Sequence, residues 1–285
     1  MPARDDSLSA VERSSAGRRA ARYALLVFVA VVVFAPIWAT LMQALKSGVD
    51  ALDHPRSLLP VDLTLDTLRK AWDLGDLGTL LRNSMIMSVL VTVGVVLTSL
   101  LSAYAFAFLR FPGRRVLFAL FLATLLVPIE VTVVINRRTV SDLGWTNSFT
   151  GLVVPLIATG LGTFLVRQVF LTIPNELREA AALDGLGHVR FLWDVAAPLS
   201  RPTLGALGLL TFLGTWNQYL WPQAIITDPS RRTIQIGLNN LKSSDLDNLN
   251  LVTAGTVIAA LPIFAMLILF QRQLVRGLTA GAVKG

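Results

Sequence analysis

Side chains able to do covalent chemistry are few in this sequence. Cys is absent, which excludes disulfides, thiolate metal sites and a Cys nucleophile. The two histidines, His54 and His188, are far apart, and no group of His, Asp and Glu residues has the spacing of a metal site. No Ser/His pair stands at a recognisable spacing, and the phosphate-binding pattern G-x-x-x-x-G-K-[ST] does not occur. We therefore expect no catalytic residue, no metal and no ATP hydrolysis in this chain, so an enzyme embedded in a membrane is the least favoured class.

The clearest pattern of charged residues is the segment 174–202, which separates two long apolar runs. Asn175 is the predicted N-cap of a helix, and Glu176 and Glu179 stand in its first turns, where the helix dipole favours negative charge. Three alanines, which are strong helix formers, follow them. Gly185 is predicted to end this helix, because glycine adopts a left-handed conformation at little cost.

A second short helix is predicted from His188 to Ala197, ending at Pro198, because its apolar residues recur at roughly helical spacing. The 174–202 segment is therefore expected to form two short helices joined by a glycine turn. From the residues alone, two interpretations of such a structure stay open. It is either a docking element for another protein or an ordinary amphipathic loop in a membrane interface.

The apolar runs that flank this segment indicate the class of protein. Only 15% of the 285 residues are charged, against about 25% in soluble proteins, and the mean hydropathy is +0.63. We predict an all-α integral membrane protein with six transmembrane helices, entered from a polar tail without regular structure over 1–17. The predicted spans are Tyr23–Leu45, Ser84–Leu109, Val116–Ile135, Phe149–Val166, Thr203–Pro222 and Leu249–Phe270. The fourth and fifth are expected inside a bundle, where small and helix-breaking residues are tolerated.

The basic residues give the predicted orientation and account for the net charge of +7. With the N-terminus inside, 15 of the 25 Lys and Arg residues fall in inner segments and 10 in outer ones. The Arg110–Arg115 turn is the strongest inside marker. Both termini and the 174–202 segment are therefore predicted to be cytoplasmic, with outer loops at 46–82 and 223–248. Since basic residues that flank spans need no nucleic acid as a partner, nucleic-acid binding is not expected.

At the 174–202 segment the sequence resembles the EAA loop of the permease subunits of binding-protein-dependent ABC importers. The pattern is Glu179-Ala180-Ala181, three residues, Gly185, nine residues and Val195-Ala196-Ala197-Pro198, with the lead-in Pro174-x-Glu176-Leu177. The family pattern ends in Ile-x-Leu-Pro, so Val195 and Ala197 are mild apolar departures. The resemblance extends from Tyr23 to Arg276. It implies a six-span permease domain over 23–276, with cytoplasmic tails at 1–22 and 277–285.

This resemblance implies a subunit of an ATP-driven importer in the inner membrane of a bacterium. Its implied partners are a second, homologous permease subunit in a heterodimer, two ATPase subunits that bind ATP and Mg, an extracytoplasmic substrate-binding protein or lipoprotein, and membrane lipid. The chain itself would carry no cofactor. The residues implied in coupling to the ATPase are Glu176, Glu179, Ala180, Ala181, Asp184, Gly185 and Pro198. Among them Glu179 would make polar contact, the two alanines would permit close approach, and Gly185 would form the turn.

Three further stretches resemble the glycerol-3-phosphate permeases within the carbohydrate-type group of this family. They are Arg110-Phe111-Pro112, Leu126–Val131, and Trp216–Pro222 followed by Ile225–Asp228. The implied cargo is sn-glycerol 3-phosphate or a glycerophosphodiester such as glycerophosphocholine, with a sugar of the maltose or trehalose kind as the alternative. The residues predicted to line the path or to contact cargo are Glu130, Arg137, Arg138, Trp216, Asn217 and Gln218.

These residues also have simpler interpretations. Arg137 and Arg138 would be loop charges or contacts for the binding protein, Glu130 would pair with one of them or stabilise the bundle, and the two Trp of the third stretch would form an aromatic belt. In a different class, the chain would be a stand-alone secondary carrier or channel. No internal repeat is evident in the sequence, which weakens the carrier.

Overall fold

A computed structural model of the chain describes residues 5–54, 57, 59–244 and 249–279. Within these ranges all regular elements are helical, apart from an isolated bridge between Lys46 and Leu63. The α-helices are α1 Asp5–Ala44, α2 Gly48–Asp53, α3 Asp66–Leu74, α4 Leu77–Phe108, α5 Arg114–Ala123, α6 Ile129–Asp142, α7 Phe149–Val153, α8 Gly160–Phe170, α9 Asn175–Leu183, α10 His188–Arg190, α11 Ala197–Leu199, α12 Arg201–Trp216, α13 Leu220–Ile225, α14 Ile234–Ser244 and α15 Leu249–Thr279. A π-helix spans Phe191–Ala196, and the 3₁₀ turns are Thr124–Leu126, Val154–Leu156 and Pro229–Arg231. The prediction of an all-α chain is confirmed.

Helix α1 begins at Asp5, so the prediction that residues 1–17 lack regular structure is wrong for those that the structure describes. Helix formers such as Ala10, Glu12 and Ala16 allow the helix of the first span to start early. In the apolar part of this helix, Arg19–Ala44, only 6% of the most apolar 18-residue stretch is buried within the chain. This helix therefore offers most of its apolar surface to its surroundings.

Three helices are long and apolar enough to cross a membrane, namely Arg19–Ala44, Leu77–Phe108 and Asn250–Gln271. Two further pairs of helices are long and apolar enough to cross a membrane only when each pair is taken as one span. Arg114–Leu126 and Glu130–Asp142 are bent by 107°, and Phe149–Leu156 and Gly160–Phe170 are bent by 46°. The described residues therefore contain up to five spans, and the count of six stays a prediction.

The third, fourth and fifth predicted spans are not the single helices that their apolar runs predict. In the third, Val127 is extended before Pro128, because proline disfavours helical geometry in the residue that precedes it. In the fourth, residues 157–159 interrupt the helix after a turn that contains Pro155. In the fifth, α12 has 16 residues and ends at Trp216, and residues 217–219 separate it from α13. Each break falls at proline or polar residues inside the apolar run.

The described residues of 72–244 and 258–285 form one of two compact units. Its central element is α4, against which α8 and α12 pack, and both of these helices carry several buried residues. The approach of α8 to α4 is close, because a Cβ atom at Gly162 would overlap the side chain of Ser99. Small residues permit such contact between membrane helices. The prediction that the fourth and fifth spans lie inside a bundle is confirmed.

The described residues of 1–71 and 245–257 form the other unit, in which a charged network follows α1. The buried Lys46 donates from Nζ to the carbonyl oxygens of His54 at 2.7 Å and Ser57 at 2.9 Å. Asp50 accepts from the backbone N–H of Val61 at 2.9 Å and lies 3.2 Å from Nδ1 of His54. Burial raises the pKa of Asp50, but the backbone donors and the charge of Lys46 outweigh it and hold that pKa below its ordinary value. The carboxylate therefore stays ionised and stabilises the loop.

Candidate coupling segment and outer polar cluster

The 174–202 segment forms two short helices, as the sequence predicts: α9, and a second helix made of α10, the π-helix and α11. α9 starts earlier than expected, because Asn175 is its first helical residue and Pro174 takes the N-cap position. The prediction of Asn175 as the N-cap is therefore wrong. Pro174 has no side-chain acceptor, and no side-chain cap bond forms there. Glu176 lies in the first turn, as predicted.

Gly185 forms the turn between the two helices with a φ of +77°. Its N–H donates to the carbonyl oxygen of Ala182 at 3.1 Å, and the N–H of Leu186 donates to that of Ala181 at 2.9 Å. These are the two bonds of the Schellman motif, which satisfies the last carbonyls of a helix. Since this left-handed geometry favours glycine, the predicted helix stop at Gly185 is confirmed.

The second helix continues through Pro198 to Leu199, so Pro198 does not end it as expected. The π-helix Phe191–Ala196 ends two positions before this proline, which has no N–H to give to the helical ladder. Ser200 follows the helix, and its N–H and Oγ both donate to the carbonyl oxygen of Ala196, at 3.2 Å and 2.8 Å. Pro198 is thus accommodated in the last turn, where the loss of one N–H is tolerated.

One face of the two helices is part of the hydrophobic core of the bundle. Ala181 on α9 and Phe191, Leu192 and Ala196 on the second helix are all buried in that core. The small side chain of Ala181 therefore allows α9 to approach the chain's own bundle. Ala180, its neighbour in the sequence pattern, is exposed.

The opposite face is open and combines acidic with apolar side chains. The predicted coupling residues that are exposed or half-buried are Glu176, Glu179, Ala180, Asp184, Gly185 and Pro198. Leu183 and Val189 are also exposed, by 90% and 70%, on the two sides of the Gly185 turn. This apolar pair was not predicted from the sequence, although its position beside a helix stop was a signal. Exposed apolar side chains rimmed by charge are typical of a surface that another protein covers.

A hydrogen bond joins the second helix to the central helix α4. Tyr104 Oη and His188 Nδ1 are 2.8 Å apart, and their ring centroids are 5.9 Å apart in an edge-on arrangement. Phe108, Phe170 and Phe191 surround Tyr104, with centroid distances of 5.1 to 6.4 Å from its ring. This contact has no signal in the sequence, because Tyr104 and His188 are 84 residues apart. The end of α4 is therefore tied to the 174–202 segment by both packing and a polar bond.

The charged residues of α6 do not meet as expected. Glu130, Arg137 and Arg138 are all exposed, and none of the ion pairs formed by the described residues joins Glu130 to either arginine. Seven residues of helix separate Glu130 from Arg137, which corresponds to about 10 Å along the axis. The pairing of Glu130 with one of these arginines is therefore wrong in this structure.

The two tryptophans of the Trp216–Pro222 stretch are buried in the bundle. Trp216 is only 1% exposed, stacks on Phe212 and donates from Nε1 to the carbonyl oxygen of Ala259 at 3.2 Å. Trp221 is 2% exposed and donates from Nε1 to the carbonyl oxygen of Leu152 at 3.2 Å. The aromatic-belt interpretation is wrong for both, because each indole N–H has a protein partner. The structure also places Trp216 in the packing of the bundle and away from its surface.

Asn217 and Tyr219, which follow Trp216, bond to residues of α14 and form with them a group that we call the amide cluster: Asn217, Tyr219, Gln235 and Asn239. Asn217 Oδ1 accepts from Gln235 Nε2 at 3.4 Å, and Tyr219 Oη accepts from Asn239 Nδ2 at 3.1 Å. Asn217 is exposed and Gln218 is half-buried. Gln235 and Asn239 were missed because α14 lies outside the predicted spans. The cluster presents uncharged donors and acceptors, which suit hydroxyl or phosphate oxygens equally.

Asn147 ties together the two loops nearest to this end of the bundle. It has a φ of +52°, and its Oδ1 accepts from the N–H groups of Thr227 at 2.7 Å and Asp228 at 2.9 Å. Its backbone oxygen accepts from Arg231 at 2.6 Å. Hydrogen bonds from Ser230, together with Arg231, hold the pKa of Asp228 below its ordinary value. This connection was not predicted from the sequence, since Asn147 is a single polar residue before a helix.

Comparison with known proteins places this architecture in a family. The sequence matches the family of binding-protein-dependent transport system inner membrane components over residues 94–280. It is 36% identical over 264 residues to the sn-glycerol-3-phosphate transport system permease protein UgpE of Yersinia enterocolitica, covering 90% of this chain and 94% of that protein. It is also 36% identical over 265 residues to the protein of that name from Brucella abortus, covering 89% of this chain and 93% of the relative.

Solved structures share the fold. A bacterial ABC transporter involved in the import of the acidic polysaccharide alginate has a chain that aligns with a TM-score of 0.77 and 22% identity, covering 95% of this chain and 98% of that one. A second chain, from the alginate transporter in complex with its pentasaccharide-bound periplasmic protein, aligns with a TM-score of 0.67 and 12% identity, covering 90% and 94%. The match over residues 94–280 and the 36% identity to the Yersinia permease show that the chain belongs to the family of binding-protein-dependent transport system inner membrane components.

Proposed function

We propose that this permease forms half of the translocation path of an ATP-driven importer of sn-glycerol 3-phosphate or of a glycerophosphodiester such as glycerophosphocholine. The observation that carries the cargo is the 36% identity, along 90% of the chain, to a permease named for sn-glycerol-3-phosphate transport. Within the family the permease subunit does no covalent chemistry. ATP and Mg would be bound by a separate ATPase.

The exposed face of the 174–202 segment is the proposed docking surface for that ATPase. Its carboxylates, Glu176, Glu179 and Asp184, would meet polar groups of the ATPase, while Leu183 and Val189 would enter an apolar part of its cleft. Because the ATPase would bind on the cytoplasmic side, the 174–202 segment and both termini would be cytoplasmic. A second, homologous permease subunit would complete the path, and two ATPase subunits and an extracytoplasmic binding protein would complete the importer.

The cargo would pass the amide cluster at the opposite end of the bundle. Amide and phenol groups can donate to phosphate oxygens and can also bond the hydroxyls of glycerol. The exposed Arg137 and Arg138 on α6 are the cations available to attract an anionic cargo or to contact the binding protein. A neutral sugar is the second candidate, because the cluster contains no charged side chain.

The cargo is tested on the cognate binding protein by calorimetric titration with glycerol 3-phosphate, glycerophosphocholine, maltose and trehalose. Uptake is then measured in proteoliposomes that contain the complete importer. We expect tight binding and ATP-dependent uptake of a glycerol phosphate, and no response to either sugar. Binding of a disaccharide alone would replace the proposed cargo with a sugar. Uptake by this chain without any ATPase would instead indicate a stand-alone carrier or channel.

A further inference from the structure

The turn between α4 and α5, which we call the arginine elbow (residues 109–116), borders a cavity of about 450 Å³. The residues that line it are Arg110, Phe111, Gly113, Arg114, Arg115 and Val116. The turn is held by Gly113 with a φ of +74° and by Arg114, which donates from Nη1 to the carbonyl oxygen of Leu109 at 2.9 Å. The elbow is therefore a shaped surface and not a disordered charged loop.

Within the described part of the chain, no carboxylate neutralises the positive charge at this elbow. Arg167 on α8 joins the same corner, because its Nε donates to the carbonyl oxygen of Phe106 at 3.1 Å and its guanidinium lies 4.2 Å from the ring centre of Phe118 on α5. Among the residues that the structure describes, neither Arg167 nor any arginine of the elbow forms an ion pair with a carboxylate. Each guanidinium has five N–H donors, so most of them remain available to a ligand.

An apolar wall continues directly from the charged cavity. Val116, Leu117 and Leu120 on α5 are exposed by 63%, 49% and 60%. They belong to the Arg114–Leu126 part of a candidate membrane span and are open in this chain, so they are available to contact acyl chains in a bilayer. The site is thus amphiphilic, with cations at the level of the turn and apolar side chains beside it. A soluble anion would use only the first of these features.

We propose that the arginine elbow binds an anionic phospholipid, with the phosphate group in the cavity and the acyl chains along α5. Guanidinium groups bind phosphate oxygens through paired, charge-assisted hydrogen bonds. Basic pockets beside membrane helices are known to hold anionic lipid headgroups. Arg110 and Arg115 are the two exposed cations that contact the headgroup, whereas Arg114 and Arg167 also hold the backbone of the corner.

The elbow and the 174–202 segment lie at the same end of α4. Tyr104 of α4 contacts His188, and two residues further along the carbonyl of Phe106 accepts from Arg167. A lipid bound at the elbow therefore anchors α4 and α5 beside the segment that we propose to dock the ATPase. This binding does not depend on the cargo or on the ATPase.

The test uses the full chain, co-purified with its partner subunits in detergent and titrated with phosphatidylglycerol in native mass spectrometry. The variant is Arg110→Gln with Arg115→Gln, and the matched control is Arg82→Gln, an exposed arginine at the other end of α4. At about fivefold for each cation lost, we expect the double variant to bind phosphatidylglycerol about 30-fold more weakly. The control should bind it like the unaltered chain.

Two comparison probes identify the ligand, namely phosphatidylcholine, which has no net charge, and inorganic phosphate. We expect neither to bind at concentrations that saturate phosphatidylglycerol. Equal binding of the anionic lipid by the double variant and the control overturns the proposal. So does equal retention of phosphatidylcholine, and so does displacement of the lipid by inorganic phosphate at equal concentration, which would indicate a site for free anions. Both altered arginines are exposed, and an unchanged elution volume and thermal midpoint confirm the fold.

Discussion

Substitution of Gly185 is the sharpest test of the coupling role proposed for the 174–202 segment, because the free-energy cost of the substitution comes from the backbone conformation alone. A Cβ atom added there meets no atom within 4 Å, so no clash contributes. The φ of +77° costs an ordinary L residue about 1–2 kcal/mol. We therefore expect Gly185→Ala to lose about 1 kcal/mol, Gly185→Val about 2 kcal/mol because it is β-branched, and Gly185→Asn only a few tenths.

The chain relieves this strain by moving φ out of the left-handed region. That movement breaks the bond from Leu186 N–H to the carbonyl oxygen of Ala181 and changes the angle between the two helices. The buried contacts of Phe191 and Leu192 with the bundle remain. The fold and membrane insertion should therefore persist, while a docking surface that depends on this angle is lost. If this strain free energy of about 1 or 2 kcal/mol is added to the barrier of each docking event, the rate of uptake falls about 5-fold for Gly185→Ala and about 30-fold for Gly185→Val.

The assay is ATP-driven uptake of glycerol 3-phosphate by the complete importer in proteoliposomes, with ATP hydrolysis measured in parallel. Gly187→Ala is the matched control, because Gly187 has a φ of −73° and open space around its Cβ position. We expect the rate of uptake to decrease in the order Gly, Asn, Ala, Val at position 185 and to change very little with Gly187→Ala. Normal uptake by Gly185→Val, or an equal loss at position 187, would refute the reasoning.

Three further predictions concern contacts that the sequence did not predict. Tyr104→Phe keeps the ring packing but removes the bond to His188, so stimulation of ATP hydrolysis by loaded binding protein should fall up to about fivefold, whereas Tyr23→Phe on exposed α1 should leave it unchanged. Asn147→Ala loses the two hydrogen bonds that the side-chain Oδ1 accepts from the N–H groups of Thr227 and Asp228, and it adds left-handed strain in a half-exposed loop, so the thermal midpoint should fall by roughly 4–8 °C. The midpoint of Asn147→Gly, which lacks the strain, should fall less, and equal midpoints would contradict this account. The pKa of Asp50 is lower in the folded chain than in the unfolded chain, where it is about 3.9. The ionised carboxylate therefore stabilises the fold fully above the unfolded pKa, and this stabilisation is lost as pH falls through the folded pKa. The difference in thermal midpoint between the unaltered chain and Asp50→Asn should accordingly shrink from pH 6 to pH 3.

The features predicted correctly from the sequence are those fixed by local residues. Gly185 ends a helix because of its own backbone freedom and the carbonyls directly before it. The all-α class follows from long apolar runs whose backbone must be satisfied within each segment. The Asn175 N-cap was wrong by one position, because Pro174 already supplies the extended conformation that precedes the helix. Local signals therefore gave the correct element with a small error in its boundary.

The features that were missed depend on partners distant in sequence. Trp216 and Trp221 resemble interface residues until the carbonyls of Ala259 and Leu152 are found beside their indole nitrogens. Gln235 and Asn239 carry no signal by themselves, since only the turn at 217–219 brings Asn217 and Tyr219 to face them. No sequence pattern specifies these meetings, because each depends on where two helices cross.

The two ends of the bundle impose different demands on the chain, and this difference explains which of its residues are informative. The end that carries the 174–202 segment, which we propose docks the ATPase, has a specific turn, a buried aromatic group and a bond from Tyr104 to His188. The other end carries the amide cluster, whose neutral groups accept several polar ligands. Discrimination between a phosphate and a sugar therefore needs charge from outside this cluster. Arg137 and Arg138 are the described candidates in this chain, and the binding protein or second permease would supply the remainder.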